Sequence, residues 1–287
     1  MAYVSPLSTQ TLAAMRAFWD SRSSPVGPVP DVDVVSRALL KAAGQDESVS
    51  KAMRETAAAV QALPLQEAPS FDELRSVDFH SGSSHLIRAA PFSYGVHHGN
   101  LVSVSEDNNS GTMFLNGLAG KIVSSPGDSA MGVSTIGIAI TSTDLGALTG
   151  LGVAVRVGVS VNWAAAWDLA CMGVPTAFVG SDPWSQARGG FNLTVWGPAG
   201  FVTQNGEQDV FSQHYAAAPG DHWSHVQRSD NGYIPLSATF WVPPGETRWV
   251  NVDCYVEVKT GYSSAWNLAS ASGIMQNVVN FFVLTPQ

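Results

Sequence analysis

Eleven residues near the middle of the chain alternate without a break. In the segment GVAVRVGVSVNW, Val153, Val155, Val157, Val159, Val161 and Trp163 fall on one side of an extended chain. Ala154, Arg156, Gly158, Ser160 and Asn162 fall on the other. A period of two held this long rules out a helix face and marks a strand with one buried side. The preceding stretch, Met131 to Thr143, repeats the pattern with Ile136, Ile138 and Ile140 on one face and Gly137 and Ala139 between them. The connector TSTDLGALTGLG is small, polar and glycine-rich, which suits a hairpin connection or a longer loop. These stretches predict an antiparallel sheet with one apolar and one small or polar face, the apolar face covered by a second sheet or by helices.

The chain divides by composition into an N-terminal helical arm, residues 1–75, and a β domain, residues 76–287. In the arm, Ser8 is a cap for a short helix through Trp19 with Leu12, Met15 and Trp19 on one stripe. Ser21 to Pro30, SRSSPVGPVP, is a linker rich in proline and glycine. Asp33 caps a second helix carrying Val34, Val35, Ala38, Leu39 and Ala42, closed by Gly44. A third begins near Asp46 or Ser48, and Val49, Ala52, Met53, Thr56, Ala57, Val60 and Leu63 follow a 3.6-residue period before Pro64 stops it.

Beyond Val77 short extended segments recur. They include His85 to Ala90, Val96 to Ser105, Thr112 to Leu115, Lys121 to Ser124 and Ala177 to Val179. Phe191 to Trp196, Phe201 to Thr203, Val210 to Tyr215, Ile234 to Trp241, Trp249 to Lys259 and Asn277 to Leu284 continue the series. Breakers such as EDNNSG, SPGD, SDPWSQARGG, QNGEQD, SDNGY and PPGET separate them. Many short strands with irregular connections and no fixed-period repeat predict a mainly β fold, an antiparallel β-sandwich of the jelly-roll kind, with an N-terminal helical segment.

Only 13% of the 287 residues are charged and the net charge is −9, which argues against electrostatic binding to nucleic acid or anionic membranes. No basic run, secretory signal or apolar run of membrane-spanning length is present, so membrane insertion is not expected. Cys171 and Cys254 sit in apolar strand contexts and read as two buried thiols; a disulfide between them is an open alternative.

Motifs for chemistry are sparse. His222 and His225, like His97 and His98, supply at most two of the three or four ligands that zinc needs. Asp168, Asp182, Asp221 and Asp253 are isolated carboxylates, and no nucleophile elbow, P-loop or zincin motif occurs. The reading is a non-enzyme without an obligate cofactor. Glu106, Asp107, Asn108 and Asn109 crowd hard oxygen atoms into one turn and are a calcium candidate. Trp184, Trp223 and Trp266, with Tyr233, lie in turn-like segments and are candidates for a partner or ligand contact, whereas Trp163, Trp196, Trp241 and Trp249 read as core.

The segment ATFWVPPGETRWVNVDCYVEVKTG, Ala238 to Gly261, is a strand, a proline-glycine turn and a long strand carrying an aromatic, a cysteine and a carboxylate. Together with the terminal VVNFFVLTPQ it resembles the late strands of jelly-roll coat proteins of small icosahedral positive-strand RNA viruses, of the nodavirus and tombusvirus kind. The resemblance covers about a fifth of the chain and implies a capsid protein that self-assembles in many copies into a virion. Those proteins carry a basic N-terminal arm that this chain lacks, which leaves enclosed RNA without an evident contact. Outside a virion the expected location is cytoplasmic. Two other functions fit the same patterning: a carbohydrate- or surface-binding sandwich of lectin type using Trp184, Trp223 or Tyr233, and a pore-former using Met131 to Trp163 as a hairpin.

Overall fold

The structure is a computed structural model and describes residues 7–22, 85–121, 129–148, 150–172, 184–216, 224–261 and 268–287. The linker beyond Arg22, the helices expected before Pro64, the Ala177 to Val179 strand, His222, Trp223 and Trp266 lie outside the described residues.

The first element is α1 (Thr9–Asp20). Its start follows the predicted capping: Ser8 is extended, and its Oγ accepts from the Thr11 amide at 3.0 Å. Met15 and Trp19 are buried on one stripe. The rest is strand: β1 (Leu86–Ala89), β2 (Tyr94–Gly99), β3 (Ser103–Asp107), β4 (Thr112–Lys121), β5 (Ser129–Thr141) and β6 (Val153–Met172). Then come β7 (Trp184–Gly197), β8 (Gly200–Gln204), β9 (Gln208–Ala216), β10 (Ser224–Val242), β11 (Thr247–Gly261) and β12 (Leu268–Pro286).

These strands form two antiparallel sheets. One runs β10-β6-β12-β4-β3, with β1 also on β12; the other runs β2-β5-β11-β7, with β8 and β9 sharing the far edge of β7. The eight strands β4, β5, β6, β7, β9, β10, β11 and β12 thus order as 4-12-6-10 and 5-11-7-9. Successive strands change sheet at every step except β7 to β9. That interleaving is the jelly roll, two Greek keys wrapped around one core.

The core follows the alternation. Val155, Val157, Val159 and Val161 of β6 are buried against Ile136, Ile138 and Ile140 of β5 and Val250, Val252, Val256 and Val258 of β11, all within one apolar cluster. The opposite side of β6 is not the wet face expected of it: Gly158, Ser160, Asn162, Ala164 and Ala166 are buried too. β6 is a central strand, and its register sets these short side chains between longer ones. Ser160 lies between Pro235 and Phe281, and Asn162 between Tyr233 and Val278.

β5 and β6 do not form a hairpin. They belong to opposite sheets, so the connector between them crosses the end of the sandwich, and the paired arms that a pore-forming reading needs are not there. The segment read as one strand from Val96 to Ser105 is also divided between sheets. Gly99, with φ +120, ends β2, and Asn100 turns away while its Oδ1 accepts from the Met131 amide at 2.8 Å.

Candidate functional site

Three chain connections meet at one end of the sandwich: β5 to β6, β7 to β8, and β10 to β11. The register places them together, since Thr141 pairs with Thr247, Val153 with Val242, and Trp196 with both Trp249 and Phe201. Five large apolar side chains are exposed here. Leu148 is 75% exposed, Leu151 56%, Trp241 53%, Phe201 46% and Val202 38%.

These residues are joined by close packing. The indole of Trp241 lies over Gly152, leaving so little room that a Cβ there would come within 2.8 Å of Cε2. Beside it, Arg248 donates from Nε to the Trp241 carbonyl at 3.1 Å and pairs through Nη1 with Glu246 at 2.7 Å. The same Nη1 covers Gly197, where a Cβ would stand 2.6 Å from it and 3.5 Å from Val202 Cγ2. Arg248 is itself buried, so its guanidinium pins the ends of β10, β11 and β7 in one arrangement. Phe201 stacks on Phe18 of α1 at 5.3 Å. The result is a group of exposed apolar side chains at one end of the sandwich, with the ion pairs Arg88–Asp144 and Arg248–Glu246 among the same connections.

Sequence reasoning missed this group. Trp241 was expected in the core, yet β10 turns Leu236, Phe240 and Val242 inward and therefore turns Trp241 out. The available signal was the pair of leucines, Leu148 and Leu151, in a glycine-rich connector that offers them no strand to pack on.

The second distinctive region is the outer face of the β2–β5–β11–β7 sheet, on which α1 lies. Met15 packs with Ala139, Trp196 and Trp249, and Trp19 with Met131, Val133 and Tyr255. Between these apolar contacts runs a polar row. The Tyr94 hydroxyl donates to Asn251 Oδ1. Asp253 is buried and accepts from Thr135 Oγ1 at 2.6 Å and Thr194 Oγ1 at 2.7 Å. Burial raises its carboxyl to about pH 6, against the lowering effect of both threonines and of Arg22. Farther along, Tyr255 donates to Asp209, and Glu257 holds Arg188 at 2.6 Å and Lys259 at 2.5 Å.

The candidate calcium turn does not gather its oxygens. Glu106 reaches across to His97 on β2 of the other sheet at 2.9 Å, and Asn108 donates its side-chain amide to the Phe92 carbonyl at 3.1 Å. Asp107 accepts from Ser110 Oγ at 2.7 Å and the Asn109 amide at 3.0 Å, the Ser110 bond first among those that hold its carboxyl below the ordinary range. Asp107 is held within its own hairpin, while Glu106 and Asn108 are held by residues before it. Among the described residues no group of three or more His, Cys, Asp or Glu side chains is arranged to hold a metal ion.

Of the aromatic candidates, Trp184 stacks on His214 at 5.6 Å and packs against Gly261, so its ring has neighbours within the fold. Tyr233 is 54% exposed on the outer face of β10. Both cysteines are buried, and no disulfide joins them. Among the described residues no helix is long and apolar enough to cross a membrane.

No family model matches this chain, and no curated protein matches it. Solved structures give distant likenesses. A carbohydrate-binding module in complex with β-1,4-galactotriose aligns at 13% identity over 67% of this chain and 88% of that one, with a TM-score of 0.19. A second carbohydrate-binding module aligns at 9% identity over 71% and 86%, also at 0.19. Lectin I from Ulex europaeus, in complex with the methyl glycoside of α-L-fucose, aligns at 11% identity over 68% and 99%, again at 0.19. Likeness at this level leaves function to be argued from the chain's own residues.

Proposed function

We propose that the chain is a structural protein whose copies assemble into a closed shell, a capsid in the sense of the resemblance above. The observation that carries this reading is the exposed apolar group of Leu148, Leu151, Trp241, Val202 and Phe201 at one end of the sandwich. A lone monomer leaves these side chains in water, and large apolar side chains exposed together at one end of a fold, a tryptophan among them, are an ordinary mark of a protein contact. Many copies of one such contact close into a symmetric particle. The jelly roll is a fold used by capsid proteins and by lectins alike, so it accommodates the reading without selecting it. Enclosed RNA is not part of the proposal, because a net charge of −9 does not favour electrostatic contact with it.

The test is sedimentation velocity with negative-stain microscopy on the purified full chain. Large, uniform particles are expected, and Leu151→Asp with Trp241→Asp are expected to yield folded species of low mass. A monodisperse monomer across salt and pH overturns the proposal.

A second reading, a carbohydrate- or surface-binding sandwich, draws on Tyr233 and Trp241. Both present aromatic rings on the outer face of β10, where a sugar ring can stack. A glycan array is expected to give hits that Tyr233→Ala and Trp241→Ala abolish; an array without hits removes this reading.

A further inference from the structure

β11 shows how unlike its two sides are. Inward it presents Val250, Val252, Cys254, Val256 and Val258; outward, beneath or beside α1, it presents Asn251, Asp253, Tyr255 and Glu257. A face meant to stay covered gains nothing from an acid at its centre, because burying an ionised carboxylate between neutral hydroxyls is costly. The cover is imperfect in another way. Trp249 Nε1 and Asn192 Oδ1, on the same outer face, are buried with no hydrogen-bond partner, though water would satisfy both.

The helix is nevertheless well placed to sit there. Met15 and Trp19 fill the apolar positions, and two polar ties close its C-terminal end. Asp20 Oδ1 meets His98 Nε2 at 2.6 Å, and Arg22 meets Glu207 at 2.6 Å.

We infer that α1 is a reversible strap over the Thr135–Asp253–Thr194 row, held more tightly in mild acid than at neutral or alkaline pH. The direction follows from the groups facing the row. Asp253 titrates near 6 when covered and near 3.9 in a free side chain, so seating α1 takes up a proton in the window between. The docked state is therefore favoured below the covered value and loses that advantage as pH rises through it. The docking equilibrium gains up to about tenfold between pH 7.5 and pH 5 from this group alone. On β2, His98 Nε2 faces Asp20 Oδ1 of α1 at 2.6 Å. His97, its neighbour, is engaged with Glu106 of β3 instead.

Opposing groups exist. Arg22 eases the cost of an ionised Asp253, but its own partner Glu207 and the nearby Asp209 offset part of that charge. Arg188 is held by Glu257 and Glu207, Lys259 by Glu257, and Tyr94 and Tyr255 are kept neutral because burial pushes their hydroxyls up. Arg16, though exposed, borders with Leu12, Met15 and Trp19 the small pocket between α1 and the sheet that Val96, His97, His98, Val133 and Thr135 also line. None of these reverses the sign set by Asp253.

The experiment is double electron–electron resonance on the full chain carrying Ala17→Cys and Gln213→Cys, both exposed positions, one on α1 and one on β9. Spin labels go to these thiols because Cys171 and Cys254 are buried. A narrow distance distribution is expected at pH 5, with a broad second component growing by pH 8. Asp253→Asn is expected to keep the narrow distribution at both values. Thr135→Val, which removes a bond that stabilises the carboxylate, is expected to move the transition to higher pH. Identical distributions at pH 5 and 8, an Asp253→Asn chain that responds as the parent does, or an unmoved midpoint in Thr135→Val each overturns the inference. If Asp253→Asn fails to fold, the midpoint in Thr135→Val decides alone.

Discussion

Gly232 lies flat against the indole of Trp163, so close that a Cβ would stand 3.1 Å from the ring. The two are register partners on β10 and β6, and the glycine is what lets the larger side chain lie down across the strand pair. A side chain at 232 must displace the ring. Gly232→Val is expected to lower stability by about 1–3 kcal/mol, the usual cost of overpacking, read as a drop in the denaturant midpoint with an unchanged slope.

Val157 has no exposed surface and stands in the main apolar cluster. A carboxylate there has neither water nor a partner. Val157→Asp is expected to cost on the order of 4 kcal/mol or more and to leave little folded protein by circular dichroism. Ala154→Asp, on the other side of the same strand near its open end, is expected to fold and melt close to the parent.

Arg248 is expected to matter more than a surface cation does. It is buried and spends its guanidinium on the Trp241 carbonyl and on Glu246. Arg248→Met leaves that carbonyl and that carboxylate without the donor. A loss of about 1–3 kcal/mol is expected, with a change in the fluorescence of Trp241 measured against a Trp241→Phe background.

Cys254 is fully buried, its thiol pushed well above the ordinary range by burial, and Asn277 Nδ2 donates to its sulfur at 3.0 Å. Cys171 is equally enclosed. Neither thiol is expected to react with a disulfide reagent at pH 8 until the chain unfolds, when both are expected to react. The titration in native buffer and in guanidinium chloride checks this directly.

The α1 cap gives a local prediction. Ser8→Ala removes the acceptor for the Thr11 amide and is expected to cost the helix about 1 kcal/mol. Tryptic cleavage after Arg16 is then expected to quicken by roughly fivefold.

What could be read from residues alone was whatever depended on neighbours along the chain. Alternation from Val153 to Trp163 gave a strand and its buried side, and Ser8 gave a helix start, because both are local. Pairing was not legible: β4 lies against β12, with Lys121 opposite Ala269 and Thr112 opposite Val278, and nothing in either segment names the other. Breaker chemistry misled where a tertiary contact required a glycine. SDNGY reads as a turn but runs through β10 because Trp163 needs Gly232. Gly189 and Gly190, read as part of a loop, lie within β7 opposite a bulge at Val210 of β9, where Gly190 fits against the Gln208 carbonyl and the Tyr255 hydroxyl. Trp241 was misplaced by treating a large aromatic as interior, when Leu236, Phe240 and Val242 already assign the odd positions of β10 to the outside. The seat of α1 was illegible for a different reason. Asn251 and Asp253 alternate with valines like any half-wet strand, and only the fold reveals that a helix rests on them.

β10 carries one more consequence. It is 19 residues long and, among the described residues, pairs only with β6. Such a margin invites a foreign strand to zip on, but Pro235 sits midway along it and offers no N–H to the newcomer. Copies crowded side by side are thereby steered away from fibrous growth and left to meet through their side chains instead.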